Sequence, residues 1–104
     1  MRPALTDRTV SPADWMSAID GSRSLSALTL PGSHDTCAYT VDDRLARTQH
    51  ATLDDQLHHG VRVLDIRCRH ERDRFAIHHG GIPLGLAFDD VVRTCGQFLA
   101  HHPG

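Results

Sequence analysis

Two histidines and an arginine stand where apolar runs end. They are His34 in Pro31-Gly32-Ser33-His34-Asp35-Thr36, Arg67 closing Val63-Leu64-Asp65-Ile66-Arg67, and His79 in Ile77-His78-His79-Gly80. Imidazole titrates near neutrality, so one ring can take a proton while another gives one, and a guanidinium grips phosphate oxygens with parallel N–H groups. Base, acid and clamp together suit phosphodiester cleavage without a metal. In this reading His34 deprotonates a hydroxyl, Arg67 holds the phosphate as charge builds on it, and His79 protonates the leaving oxygen from the opposite side. Asp35, beside His34, and Asp65, two residues before Arg67, are carboxylates suited to orienting or charge-balancing these groups.

Such residues need elements to position them. Ser11-Pro12-Ala13-Asp14 opens a short helix, with serine as cap, proline in the first turn, and Trp15, Met16 and Ile19 as its apolar side. Leu25 to Leu30 reads as a strand ending at Pro31-Gly32, which places His34 in the loop that follows. Thr40 to Ala51 fits no element, but Thr52 to Gly60 has a cap, early acids and a terminating glycine, the signature of a second short helix. Val61 to Ile66 reads as a strand buried on both faces, with Arg67 at its carboxyl end. Arg69 to Arg74 reads as a charged turn, Phe75 to His78 as a third strand, and Gly80 to Gly85 as a flexible loop. From Phe88, apolar residues at 88, 91, 92, 95, 98 and 99 mark one helical face, with Asp89 and Asp90 in the first turn and His101 and His102 in the last.

The order helix, strand, helix, strand, strand, helix is that of an α/β protein opening a parallel barrel or layered sheet, where functional residues gather at strand carboxyl ends. Three strands cannot close a barrel, and the chain stops where a next strand is expected, so the architecture reads as incomplete. At 104 residues, 39% hydrophobic and 23% charged, the composition fits one small globular domain. A formal charge of −2 argues against general attraction to nucleic acid. All eleven basic residues are arginine, a compositional habit that carries phosphate chemistry only at Arg67. Cys37, Cys68 and Cys95 are odd in number and lack CxxC spacing, so they read as free or buried thiols. No HxxxH or HxH pair with a nearby carboxylate suggests a metal centre. No apolar run is long enough to span a membrane, and no signal peptide is visible in Met1 to Ser11.

The Pro-Gly-Ser-His-Asp-Thr loop, the Gly60 to Arg67 strand and the His-His-Gly turn together resemble the X region of bacterial phosphatidylinositol-specific phospholipase C. Asp14-Trp15-Met16 and Phe88-Asp89-Asp90-Val91-Val92 add to the likeness, which spans residues 11 to 103. The resemblance implies the amino-terminal part of an irregular TIM-type (β/α) barrel, residues 11–104 being a partial domain behind a tail at 1–10. It also implies that phosphatidylinositol at a membrane surface is cleaved to diacylglycerol and inositol 1,2-cyclic phosphate, the 2-hydroxyl attacking from within. Carried over by position, His34 matches the base, His79 the acid, Arg67 the phosphate-binding residue and Asp35 a carboxylate near base and leaving group, while Asp65 supports them. Eukaryotic members place a calcium ligand at the position of Arg67, so the arginine implies a reaction needing no metal or cofactor. Further inositol-binding residues, and a distant aspartate behind the base, would lie in the half of the barrel that this chain lacks. The family is usually secreted.

Blander readings stand beside these. His58, His59, His101 and His102 suit helix carboxyl ends, where an imidazole complements the dipole. His78 alternates to the face opposite His79 and reads as packing or surface. Asp65 and Arg67 share a strand face and could be only a structural ion pair. Trp15, Val61, Leu64 and the Phe88 face read as core. Other functional classes remain: another metal-free phosphodiesterase, an inactive fragment, or a lipid-head-group binding module.

Overall fold

The computed structural model describes residues 10–104. The expected tail therefore lies outside the described residues, apart from Val10. A 3-10 helix, Pro12–Ala18, begins as its sequence suggests, with extended Ser11 as cap and Pro12 at the first position. Trp15 is half-buried and donates its indole N–H to the Gly60 carbonyl at 2.9 Å. Gly60 adopts φ +106, a left-handed conformation that glycine alone takes without strain, and a Cβ there would sit 3.4 Å from the indole.

The strand expected over Leu25 to Leu30 does not form. Ser24 instead accepts the Ser26 N–H and closes a single 3-10 turn, Leu25–Ala27, an example of local serine bonding displacing a ladder. Strand β1 is only Gly32–Ser33 and pairs in parallel with β2, Val63–Leu64. Gly32 allows the close approach of the two strands, since a Cβ there would lie 3.0 Å from that of Val63 and push it aside. Burial of β2 on both faces is also corrected. Leu64 and Ile66 pack on the core, whereas Val63 points the other way and is 48% exposed, because β1 is its only strand partner among the described residues.

Between them, helix α1, Leu53–His58, is capped by the Thr52 hydroxyl, which accepts the Asp55 N–H at 3.1 Å, and it buries Leu53, Gln56 and Leu57. After Arg67 the chain builds an antiparallel meander of β3 (Cys68–Glu71), β4 (Arg74–His79) and β5 (Ile82–Ala87). Two expectations change here. The charged run 69–74 is a hairpin whose turn centres on Arg72 and Asp73, and the glycine-rich "loop" is β5 itself, reached through the two-residue turn Gly80-Gly81. Gly80 at φ +58 supplies the twist such a hairpin needs, and Pro83 is tolerated because β5 is an edge strand.

Helix α2, Phe88–His101, forms as its periodicity requires, the Asp90 carboxylate accepting the Ala87 N–H at 2.8 Å. Its apolar face is only partly core: Val91 and Phe98 are buried and Cys95 half-buried, while Phe88, Val92 and Leu99 are exposed. The stripe is wider than the contact that α1, β4 and β5 make with it. These elements enclose a core of Ala13, Cys37, Ala38, Leu53, Leu57, Ile77, Leu84, Val91 and Phe98. Cys37 lies in it as a small apolar group, its thiol pushed up to about 11 by burial, and all three cysteines are free.

Candidate active site

β1 delivers His34, the segment after β2 delivers Asp65 and Arg67, and the end of β4 delivers His79. Five side chains from three separate stretches of the sequence meet here. At their centre is Asp35, 2% exposed, whose backbone takes the left-handed φ of +44 that aspartate tolerates better than most residues. Its N–H donates to Asp65 Oδ2 at 2.9 Å, which holds that conformation. Asp35 Oδ2 stands 3.4 Å from His34 Nε2 and 3.4 Å from His79 Nε2, and Asp35 Oδ1 stands 3.1 Å from Arg67 Nε. Oδ2 is buried with no closer hydrogen-bond partner among the described residues, so it is an acceptor aimed at two imidazoles.

Asp65 forms the second layer. Arg67 donates to it from Nη2 at 2.9 Å and from Nε at 3.1 Å, and His34 Nδ1 lies 3.4 Å from its Oδ2. The guanidinium bond first, and the Asp35 N–H second, hold the Asp65 carboxyl at about 2, so it is ionised at any ordinary pH. The same pairing raises Arg67. Arg67 Nη2 also reaches His34 Nδ1 at 3.4 Å, tying the guanidinium to the imidazole. His34 is 65% exposed, open to an incoming molecule, and His79 only 23%.

His78 and His79 part as strand alternation requires. His78 is buried on the other side of β4, 3.5 Å from Glu71, next to a cavity of about 470 Å³ that also touches Arg74 and Asp90. That cavity shares no residue with the cluster.

Several supporting groups escaped the sequence reading. Thr36, fully buried, donates its hydroxyl to the Ser33 carbonyl at 3.2 Å and accepts the Asp65 N–H at 2.8 Å, locking β1 to β2. Gln49 donates to the His34 carbonyl at 2.7 Å, and the Thr48 hydroxyl lies 3.0 Å from the carbonyls of His34 and Asp35. The Ala46 carbonyl accepts from His79 Nδ1. All but Thr36 come from the stretch Thr40 to Ala51, which carries no periodicity, and a backbone carbonyl has no sequence signature. No group of three or more His, Cys, Asp or Glu side chains among the described residues is arranged as a metal site.

The parallel pair β1–β2 and the end of the antiparallel strand β4 bring two imidazoles, a guanidinium and two carboxylates together in an α/β chain, a candidate acid–base centre that comparison with known proteins narrows. The model for "Phosphatidylinositol-specific phospholipase C, X domain" matches residues 22–103, and the chain belongs to that family. It is 39% identical over 101 residues to the 1-phosphatidylinositol phosphodiesterase of Listeria monocytogenes, covering 91% of this chain and 31% of that protein. It superimposes on the phosphatidylinositol-specific phospholipase C of Staphylococcus aureus (H258Y mutant) with TM-score 0.86 at 32% identity, over 89% of this chain and 32% of the other. The phosphatidylinositol-specific phospholipase C of Listeria monocytogenes superimposes with TM-score 0.78 at 37% identity, over 90% and 35%. The chain thus spans about a third of the length of the relatives it matches. Its α/β class and partial-barrel architecture follow from that overlay.

Proposed function

We propose that residues 11–104 carry the base, acid and phosphate clamp of a metal-independent phospholipase C that cleaves phosphatidylinositol at a membrane surface. By family analogy, the setting is outside the cell. The observation that carries this reading is the convergence of His34, His79 and Arg67 on the single buried carboxylate of Asp35. Because both Nε2 atoms lie 3.4 Å from the same oxygen, they stand within the span of one phosphodiester.

In the reaction, His34 accepts the proton of the inositol 2-hydroxyl as its oxygen attacks phosphorus. Arg67 neutralises the charge that builds on the phosphoryl oxygens, and His79 gives its proton to the departing diacylglycerol oxygen. One P–O bond forms and one breaks, so the products are inositol 1,2-cyclic phosphate and diacylglycerol, with one proton moved onto His34 and one lost from His79. Holding the nucleophile within the substrate removes the cost of bringing it there. The metal-free reading rests on Arg67, whose fixed charge is already paired to both Asp35 and Asp65, the carboxylates a cation would otherwise draw on.

The test is ³¹P NMR of phosphatidylinositol vesicles incubated with the protein in excess EDTA. Conversion of the diester signal to that of a five-membered cyclic phosphate is expected. Turnover without the cyclic product would reassign the chain to another phosphodiesterase class, and turnover only on addition of calcium would overturn metal independence. Vesicle binding without turnover would identify a head-group module.

A further inference from the structure

The loop between Val41 and Gln49 touches both histidines of the cluster, and its shape depends on one exposed side chain. Asp43 Oδ1 accepts the Leu45 N–H at 2.8 Å, while the Asp43 carbonyl accepts the N–H groups of Ala46 at 3.1 Å and Arg47 at 2.8 Å. This is an Asx turn running into a tight backbone turn, and it fixes the plane of the peptide that carries the Ala46 carbonyl. Ala46 is 1% exposed, so that carbonyl is aimed inward. There it meets His79 Nδ1. The far side of the loop is anchored separately, Thr48 and Gln49 donating their N–H groups to the Ala38 carbonyl at 3.1 and 3.3 Å.

A carbonyl oxygen can only accept, so His79 must donate from Nδ1. The proton it exchanges is then the one on Nε2, the nitrogen 3.4 Å from Asp35 Oδ2. We propose that Asp43 is a positioning residue that sets the Nδ1–H tautomer of His79 by folding the turn that presents the Ala46 carbonyl. The role rests on the reading of His79 as the proton donor, yet it concerns only which nitrogen holds the resident proton. Asp43 itself touches no reacting atom. Leu45 is 91% exposed and Arg47 Nε bonds the Gln49 carbonyl on the far side at 3.2 Å, so the Asp43 carboxylate is the side chain that caps the Leu45 end of the turn.

The experiment is ¹⁵N–¹H NMR of the histidine-labelled protein at a pH where His79 is neutral, which reads the tautomer without any turnover. In the unsubstituted protein the Nδ1–H form dominates. Asp43→Ala shifts the tautomer ratio toward Nε2–H by about fivefold, the worth of one ordinary hydrogen bond. Asp43→Asn, whose side-chain oxygen can still accept from Leu45, restores the original ratio. Asp43→Glu keeps the charge but is too long to close the turn, and it behaves like the alanine variant. An unchanged ratio in folded Asp43→Ala or Asp43→Glu overturns the proposal, and so does loss of the fold in Asp43→Ala, which would assign Asp43 to stability alone. Because the readout is the tautomer, failure here leaves His79 as acid intact, whereas failure of the acid role shows in turnover and leaves the tautomer untouched.

Discussion

Two clusters in this molecule use the same residue types and do different things with them. In the first, His34, His79 and Arg67 face the carboxylates of Asp35 and Asp65. In the second, where the 3-10 helix Pro12–Ala18 meets α1 and α2, Arg62 and His58 face aromatic rings and backbone carbonyls, and His102 faces Phe98 and the Asp14 carboxylate. Arg62 donates to the carbonyls of Leu57, Val61 and Ala13 at 2.8 to 2.9 Å and lies over Trp15 and Phe98, 5.9 and 4.9 Å from the ring centroids. His102 stacks on Phe98 and bonds Asp14 at 2.7 Å, and His58 caps its own helix through the Asp54 carbonyl. Arg62 spends its donors on chain carbonyls, which never change charge, so it acts as a staple. Arg67 spends its donors on two carboxylates beside solvent, in the cluster proposed to meet the substrate. The destination of the donors separates a site from a brace better than residue type does.

The sharpest way to break that contrast is to remove an imidazole from the first cluster. His34→Ala and His79→Ala are each expected to lower turnover by about 10²- to 10⁴-fold, the usual worth of a positioned acid or base, with little change in melting temperature. Near-normal rates in either variant would dissolve the distinction. The reverse experiment is Arg62→Leu, expected to destabilise the protein by about 2 to 4 kcal/mol, because it removes the guanidinium donors to the carbonyls of Leu57, Val61 and Ala13 and the contacts to Trp15 and Phe98. Urea unfolding measures the loss, and the rate per folded molecule should stay put.

A subtler difference concerns acid. Asp65 is held at about 2, below the ordinary carboxylate value of 3.8, so its bonds stabilise the fold fully above about pH 4. That stability is lost as pH falls from there through 2. Asp65→Asn should flatten this limb of the stability curve, leaving the protein weaker at neutral pH but less acid-sensitive; an unchanged limb would deny Asp65 its role as partner of Arg67. Smallest of all is His102→Gln, expected to lower the urea midpoint only slightly, since the Asp14 carboxylate it pairs with is open to solvent.

Legibility followed the physics of each segment. α1 and α2 were readable because caps, first-turn acids and 3.6-residue spacing are local signals. The strand expected over Leu25 to Leu30 failed because Ser24 and Ser26 bond to each other and to the backbone, a competition that apolar patterning does not register. β5 reads as a loop in sequence because Gly80-Gly81 signals flexibility as readily as a hairpin turn, and Pro83 masks an edge strand. The width of the core contact on α2 was also out of reach, since Phe88, Val92 and Leu99 differ from Val91 and Phe98 only in what packs against them.

The sequence by itself determined α1, α2, the strand end that carries His79, and the chemical character of the His34, Arg67 and His79 side chains, because pKa range, donor geometry and local propensity belong to residues. Tertiary structure alone decided that Asp35 is the buried hub on which the three converge, that Arg62 bonds chain carbonyls while Arg67 bonds carboxylates, and that the Ala46 carbonyl holds His79. Those outcomes depend on which backbone groups are brought opposite which side chains, and that is a property of the folded chain.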